Sequence, residues 1–317
     1  MKIIYFGTPQ HSAKLLEHLV KSGFDVAAVF TQPDSKKGRG CKLSESPVKI
    51  TALKNKIPFH QPEKITLSSF EQALAQAVPK GESSIAVVFA FGQILPESIL
   101  NLPTFGFINL HLSLLPRWRG PAPVQWTILS GDRTAGVTVQ KVAFKVDTGD
   151  VLKAKSIPLT GKETAGELLE KLTEIGCVLM SEVLDSYRKN VALKGKMQDE
   201  SSATYAPKLQ KPDAKIVWNS SAEEIERRIR AFNPQPVAFC DFVSSARTIV
   251  VKIFKASVTS LKGLPPGKIF LQKNRILVGT ADFALELIQL QPANRRVMTP
   301  QEFAAGYLIQ KGEAKFE

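Results

Sequence analysis

Over the first 190 positions the apolar residues alternate between short solid runs and longer stretches in which they recur three and four apart. "KIIYF" (2–6) is a solid run rich in β-branched and aromatic residues, the signature of a buried strand. "GTP" interrupts it, and "HSAKLLEHLVKSG" (11–23) then takes up the helical spacing and stops on Gly23. "DVAAVFT" (25–31) repeats the strand signal, so the opening reads strand, turn, helix, strand. The alternation continues through helices at about 48–56 and 68–78, the strand "SSIAVVFAF", the strand "GFINLH" ending at 111, the helix "APVQWTILSG" and the strands "GVTVQKV" and "DVLKAKSIPL". A long amphipathic helix over 163–190 closes the series, with apolar residues at 168, 169, 172 and 175 and again at 179, 180, 183 and 184. Strands alternating with helices predict an α/β domain built on a Rossmann-like, mostly parallel sheet.

Beyond about 190 this rhythm fails. "VALKGKMQDESSATYAPKLQKPD" has little periodicity and reads as a linker, followed by one helix, "SAEEIERRIRAF", with Ser220 or Ser221 as its cap. Short strand signals then follow one another ("VAFCDF", "TIVVKIFKASV", "GKIFL", "RILVGT", "FALELIQLQP"), separated by Gly, Pro and Asn turns and closed by the helical "TPQEFAAGYL". This predicts a smaller OB-like β-barrel. The expected division is a first domain over 1–190, a linker over 191–207 and a second domain over 208–317.

A length of 317 residues agrees with two domains that each bury a core. The net charge of +13 is spread over both: residues 206–317 hold 17 Lys and Arg against 10 Asp and Glu, and residues 1–205 hold 25 against 19. Such a spread suits an extended polyanion, although a basic excess by itself also serves solubility. Cys41, Cys177 and Cys240 are odd in number and widely spaced, which suggests neither a disulfide framework nor a metal site. No apolar run approaches the roughly 20 residues of a membrane span and no leader pattern is evident. A cytoplasmic protein without membrane association or bound metal is expected.

The first strand-to-helix turn, "FGTPQHS", has one glycine where a dinucleotide fingerprint needs three. His11, His18 and His60 read as surface or satisfied histidines. His111 stands apart because it ends a strand, and strand ends are where ligands bind in this class of sheet. Asn109 shares its face, since strand side chains alternate. Downstream, Asp147 precedes a Thr-Gly turn from which a carboxylate can reach the imidazole, favour its charged form and fix its orientation. The three residue types together form a site for a developing oxyanion, with donors from Asn109 and protonated His111 and a counter-charge and proton acceptor in Asp147. Spacing alone favours the plainer alternative, in which Asn109 caps a turn, His111 is a core histidine and Asp147 begins an Asx-turn. No activated nucleophile accompanies the three, so the chemistry implied is direct transfer to an external nucleophile.

"NLHLSLLPRWRGPAPVQWTI" (109–128) with "VDTGDVL" (146–152) resembles the formyltransferase family that uses 10-formyltetrahydrofolate, whose signature is N-x-H-x-S-L-L-P followed by an Asp in D-T-G. The resemblance runs the whole chain through "FGTP", "FTQPDSKKGRGCKLSESPVK", "FAFGQILP", "TYAPKL", "RAFNPQP", "LPPGKI" and "LQPANRRVMTPQEFAAG", and is closest to the branch that acts on methionyl-tRNA. It implies an enzyme that formylates the α-amine of methionyl initiator tRNA for initiation of translation, working as a monomer. Asn109, His111 and Asp147 become the catalytic set, and Ser113, Leu114, Leu115 and Pro116 a folate-contacting segment. Phe91, Gly92, Ile94 and Leu95 would hold the pterin through their backbone. The basic segment 32–49, read as a long mobile loop, would engage the tRNA acceptor end through Lys36, Lys37, Arg39 and Lys42; without the resemblance it reads as a solvated basic loop. Arg117 and Arg119 would face phosphate or an acidic folate tail, or pair with carboxylates, one of them in a structural role. The chain departs from the family pattern at His11 (usually Phe), Phe91 (usually Tyr), Ala143 (usually an acid) and Lys145 (usually Gly).

Overall fold

The solid apolar runs form the inside of a seven-stranded sheet. A computed structural model of the chain describes residues 1–37, 42–189, 191, 193–245, 247–307 and 314–317. Two compact units emerge, one of Met1–Pro123, Thr134–Ile157 and Leu169–Ala206, the other of Val124–Arg133, Pro158–Leu168 and Pro207–Glu317.

In the first unit the strands are β1 (Lys2–Gly7), β2 (Val26–Phe30), β3 (Ser35–Lys37), β4 (Lys42–Ser44), β5 (Phe59–His60), β6 (Ser84–Phe89), β7 (Phe107–His111), β8 (Thr134–Lys141) and β9 (Val151–Pro158). The sheet order is β5-β2-β1-β6-β7-β8-β9. β5, β2, β1, β6 and β7 run parallel, and β8 pairs antiparallel with β7. The expected Rossmann-like, mostly parallel sheet is present. Its order turns back on itself at β1, with β2 on one side and β6 on the other, so the crevice of such a sheet lies at the carboxyl ends of β1 and β6. Phe6, Phe30, Phe70, Phe91 and Phe107 make an aromatic core beneath that crevice, with Phe6 stacked on Phe30 at 4.7 Å. Fully burying side chains of this size stabilises by roughly 1.5–3 kcal/mol each.

The first five helices in chain order are α1 (Gln10–Lys21), α2 (Pro47–Lys54), α3 (Leu67–Ala77), α4 (Pro123–Leu129) and α5 (Ala165–Arg188), of which α4 beyond Pro123 and α5 up to Leu168 are counted with the second unit. α5 buries Leu168, Leu172, Leu179, Met180, Val183 and Leu184, the periodic positions that predicted it. Segment 32–49 departs from the expected uninterrupted loop: β3 and β4 pair as an antiparallel ribbon, Ser35 opposite Ser44 and Lys37 opposite Lys42. Three-residue strands held by backbone hydrogen bonds leave no hydrophobic period to read.

The second unit holds α6 (Ala222–Ala231), β10 (Phe239–Ser244), β11 (Arg247–Lys262), β12 (Ile269–Gln272), β13 (Arg275–Val278), β14 (Phe283–Pro292), α7 (Pro300–Tyr307) and β15 (Lys315–Phe316). Ser221 is the cap of α6, in a capping box with Glu224. The sheet order is β12-β13-β14-β11-β10-β15. Register shifts along β11 and β14 bend the long strands. An isolated pairing of Lys268 with Lys315 brings the two edges together, giving a curled antiparallel half-barrel of the expected OB-like kind. Phe242, Phe303 and Phe316 fill it. Among the described residues no helix is long and apolar enough to cross a membrane.

The three histidines away from β7 have ordinary structural surroundings. His18 Nε2 meets Ser181 Oγ at 3.0 Å, His60 stacks on Phe30, and His11 packs edge-on to Phe89 at 5.0 Å. Burial pushes the His11 imidazole down to about 4, because the charged form loses hydration there. The folded protein therefore holds His11 neutral at pH values where the unfolded chain protonates it, and stability is lost as pH falls from about 6.5 toward 4. On the order of 2 kcal/mol is at stake at pH 5, since one pKa unit corresponds to about 1.4 kcal/mol. His11→Phe is expected to shrink the drop in melting temperature between pH 7 and pH 5 by several degrees; an identical drop in both proteins would remove His11 as its source.

Candidate active site

β7 ends beside β8 in a register that sets Asn109 opposite Gln140 and His111 opposite Thr138. Residues directly opposite in an antiparallel pair point to the same face, so four polar side chains share one small area. His111, Thr138 and Gln140 are buried. The strand period thus aims Asn109 and His111 together as their spacing implies.

Asp147 completes the cluster from the segment between β8 and β9. Its Oδ1 accepts from Gln140 Nε2 at 2.9 Å and, at the long distance of 3.5 Å, from Asn109 Nδ2. Its Oδ2 accepts from the Gly120 backbone N–H at 2.8 Å and lies 3.6 Å from His111 Nδ1. Asp147 sits at φ +56°, in the left-handed region that Asp and Asn enter more readily than most residues. Two flanking glycines make this geometry possible. A Cβ on Gly120, at φ +116°, would fall 2.9 Å from the Ala206 carbonyl oxygen, and one on Gly149 would collide with the Lys141 carbonyl.

The other edge of the imidazole is committed. His111 Nε2 lies 2.8 Å from the Trp118 carbonyl oxygen, which only accepts, so Nε2 carries a hydrogen and donates it. Trp118 is itself at φ +63°, with the Arg117 guanidinium 4.3 Å over its ring. Nδ1 is therefore the atom left for chemistry, on the side of Asp147.

The folate-contacting candidates fall around the same strand ends. Ser113 is buried and its hydroxyl donates to the Arg117 carbonyl at 2.5 Å, while Leu115 N donates to Thr138 Oγ1 at 3.2 Å. Leu114, Leu115 and Pro116 are half-buried. Phe91 and Gly92 follow β6 in the crevice, where the Phe91 carbonyl accepts from Thr8 Oγ1 at 2.8 Å and from Gln32 Nε2 at 3.3 Å. Leu95 packs on the core, whereas Ile94 is 79 % exposed, an apolar side chain left uncovered after the end of β6. Arg39 and the side chains of Lys36, Lys37 and Lys42 lie outside the described residues.

Three residues of the site carried no signal of their own in the sequence: Gln140, Gln198 and Glu200. Arg119 is 2 % exposed, with Nη1 and Nη2 forked onto Glu200 at 2.9 and 2.8 Å and Nε and Nη2 on Gln198 Oε1 at 3.1 and 2.9 Å. It is the structural member of the arginine pair. The guanidinium holds the Glu200 carboxyl below its ordinary range. Burial pushes the Cys177 thiol up to about 11, and Cys240 is raised for the same reason, so neither offers a thiolate. The arrangement suits transfer to an external nucleophile, with Asn109 and His111 as donors and Asp147 as acceptor.

A family model described as "Formyl transferase" matches residues 1–184, and one described as "Formyl transferase, C-terminal domain" matches residues 208–308. Among solved structures, an N-formyltransferase from Helicobacter canadensis in complex with folinic acid and dTDP-3-aminofucose is similar at 20 % identity and a TM-score of 0.65, over 92 % of this chain and 99 % of that one. HypX from Aquifex aeolicus in complex with tetrahydrofolic acid is similar at 18 % identity and a TM-score of 0.63, over 98 % of this chain. This chain spans about half the length of HypX (48 %). Phosphoribosylglycinamide formyltransferase from Anaplasma phagocytophilum is similar at 17 % identity and a TM-score of 0.53, over 66 % of this chain and 99 % of that one. At these identities the likeness is one of fold.

The Gly120 contact offers a direct check on the geometry. Gly120→Ala is expected to lower the melting temperature by several degrees, at about 2–4 °C per kcal/mol lost, because the new methyl group meets backbone and the φ is unfavourable. Unchanged melting would show that the Ala206 carbonyl gives way freely.

Proposed function

The chain belongs to the formyl transferase family, and on that premise we propose that it moves the formyl group of 10-formyltetrahydrofolate to the α-amine of methionyl initiator tRNA. The observation that carries the reading is the convergence of Asn109, His111 and Asp147 at the end of β7, with no thiolate or activated hydroxyl among the described residues beside them. A planar heteroaromatic ring suits the carboxyl ends of β1 and β6, where Ile94 is exposed and the Phe91–Gly92 backbone turns.

The mechanism follows from which hydrogens are committed. Attack by a neutral amine places negative charge on the formyl oxygen, and Asn109 supplies an Nδ2 hydrogen to that position. His111 supplies the hydrogen on Nδ1, since Nε2 stays on Trp118 O. Asp147 Oδ2, 3.6 Å from Nδ1, balances the imidazolium, takes up the proton the amine must lose and returns it to N10 of the folate as the carbonyl re-forms and the carbon–N10 bond breaks, releasing tetrahydrofolate. The basic second domain, 17 cations against 10 anions over 206–317, suits contact with tRNA phosphates.

A second reading is N-formylation of a nucleotide-linked amino sugar, favoured by the likeness to the enzyme holding dTDP-3-aminofucose over nearly all of both chains. The two readings share the amine chemistry and differ in the acceptor. Purified protein with 10-formyltetrahydrofolate should formylate methionyl initiator tRNA and leave methionyl elongator tRNA and dTDP-3-aminofucose largely untouched. Formylation of the sugar alone would replace the first reading by the second.

In the productive assay His111→Ala and Asn109→Ala should each lower turnover about a hundred- to a thousand-fold, and near-full turnover of His111→Ala at saturating substrates would remove the imidazole from the mechanism. Affinity for tRNA should fall steeply as salt rises from 50 to 200 mM; a flat response would count against phosphate contacts.

A further inference from the structure

Residues 191–207 show almost no apolar period, yet among the described ones a long polar side chain turns inward. Gln198 is 6 % exposed, while Met197 before it is 83 % exposed and Asp199 after it is exposed. The segment is tied down on both sides of Gln198, by pairing of Lys196 with Val151 and of Tyr205 with Arg119.

The direction of every hydrogen bond around this amide can be deduced. The Arg119 guanidinium only donates, so Gln198 Oε1 must face it. Nε2 then faces the opposite way, where it meets the Asp147 carbonyl at 2.9 Å, the Gly149 carbonyl at 2.7 Å and Gln140 Oε1 at 3.2 Å. With the oxygen of Gln140 turned to Gln198, its own Nε2 is turned to Asp147 Oδ1, at 2.9 Å. The Arg119–Glu200 fork thus sets the orientation of two amides in succession down to the carboxylate.

The clamp falls where regular structure gives no support. Asp147 lies between strands at φ +56°, and Phe144 and Val146 just before it are 65 % and 61 % exposed. Gln198 spans the carbonyls of residues 147 and 149, on either side of Thr148, with a single amide group. We propose that Gln198 is a positioning residue for Asp147, oriented by the Arg119–Glu200 pair, so that the segment leading to the second domain completes the formyl-transfer site. This rests on the reading of Asp147 as the proton acceptor.

A merely structural Gln198, present to satisfy buried Arg119, makes an opposite prediction. For that duty a carboxylate is the better partner, whereas it has no hydrogen to give the two carbonyls. Gln198→Glu keeps the contact with Arg119 and removes the clamp, and Gln198→Met keeps the side-chain length with neither donor nor oxygen. Formyl transfer from 10-formyltetrahydrofolate is measured for both, with methionyl initiator tRNA as acceptor or with dTDP-3-aminofucose if that is the acceptor used. Melting curves and Asp147→Asn are recorded alongside.

We expect kcat to fall about 10- to 100-fold in both Gln198 variants, with KM for either substrate within about threefold, because a displacement near 1 Å at a reacting group costs about that much. A kcat within twofold of the parent in either variant overturns the proposal. So does a loss that appears in KM alone. Asp147→Asn separates the two levels: if it retains kcat, the catalytic reading of the carboxylate fails; if it loses activity while Gln198→Glu does not, only the positioning role fails.

Discussion

A carboxylate with only a tenth of its side chain exposed has to be met by donors, and the first unit is arranged around meeting that of Asp147. Leaving such a charge unpaired costs several kcal/mol, comparable with the net stability of a domain. The donors come from separate places along the chain: Gln140 from β8, Gly120 from the turn after β7, and Asn109 at longer range from β7 itself. Each donor constrains its own neighbourhood. The Gly120 N–H reaches Oδ2 only with the backbone at φ +116° and against Ala206, which fixes both the residue type at 120 and the path of the chain near 206. Gln140 reaches Oδ1 because β8 runs antiparallel to β7 in a register that sets it opposite Asn109.

Sheet order supplies the setting. Had β6 followed β5 on the same side, no crevice would open at β1, and the backbone at Phe91 would not meet Thr8. The reversal at β1 places three strand ends, those of β1, β6 and β7, side by side. The aromatic core beneath gives that edge a rigid floor, since Phe6 contacts Phe30, Phe70, Phe91 and Phe107. A site built on strand ends over packed rings holds its geometry better than one carried by loops alone.

How much of this was legible in the sequence depended on whether a residue's role is local. The strands and helices of the first unit follow from runs and periods, and Asn109 with His111 follows from the two-residue alternation in "FINLH". Ser221 as a cap is likewise written in four consecutive residues. Gln140 sits in "GVTVQKV" like any inward strand position, and its meaning comes from pairing with a strand some thirty residues away. Gln198 was hidden for a different reason: a buried amide adds nothing to a hydrophobic pattern, so a stretch braced by hydrogen bonds reads as linker. The two-residue β5 and the β3–β4 ribbon are too short to show a period. The carboxylate at 147 is legible from its place before the Thr-Gly turn, and the family resemblance agrees on it, but neither reaches its supports, because a signature records which residues recur and not which hydrogen bonds hold them.

One carbonyl sharpens the chemistry beyond anything the spacing implied. Trp118 O has no hydrogen to offer, so Nε2 of His111 keeps its own and donates it there, which leaves Nδ1 as the uncommitted ring nitrogen. Nδ1 faces Asp147 Oδ2, on the side of β7 where Asn109 also points. On the proposed reading, a formyl oxygen would approach from the side shared by Asn109 Nδ2 and His111 Nδ1, and the amine would release its proton toward the same carboxylate that lies against the imidazole. Donor, acceptor and counter-charge are then not three independent placements. They are consequences of holding one carboxylate still, on one side by β7 and β8 and on the other by the turn at Gly120 and the clamp at Gln198.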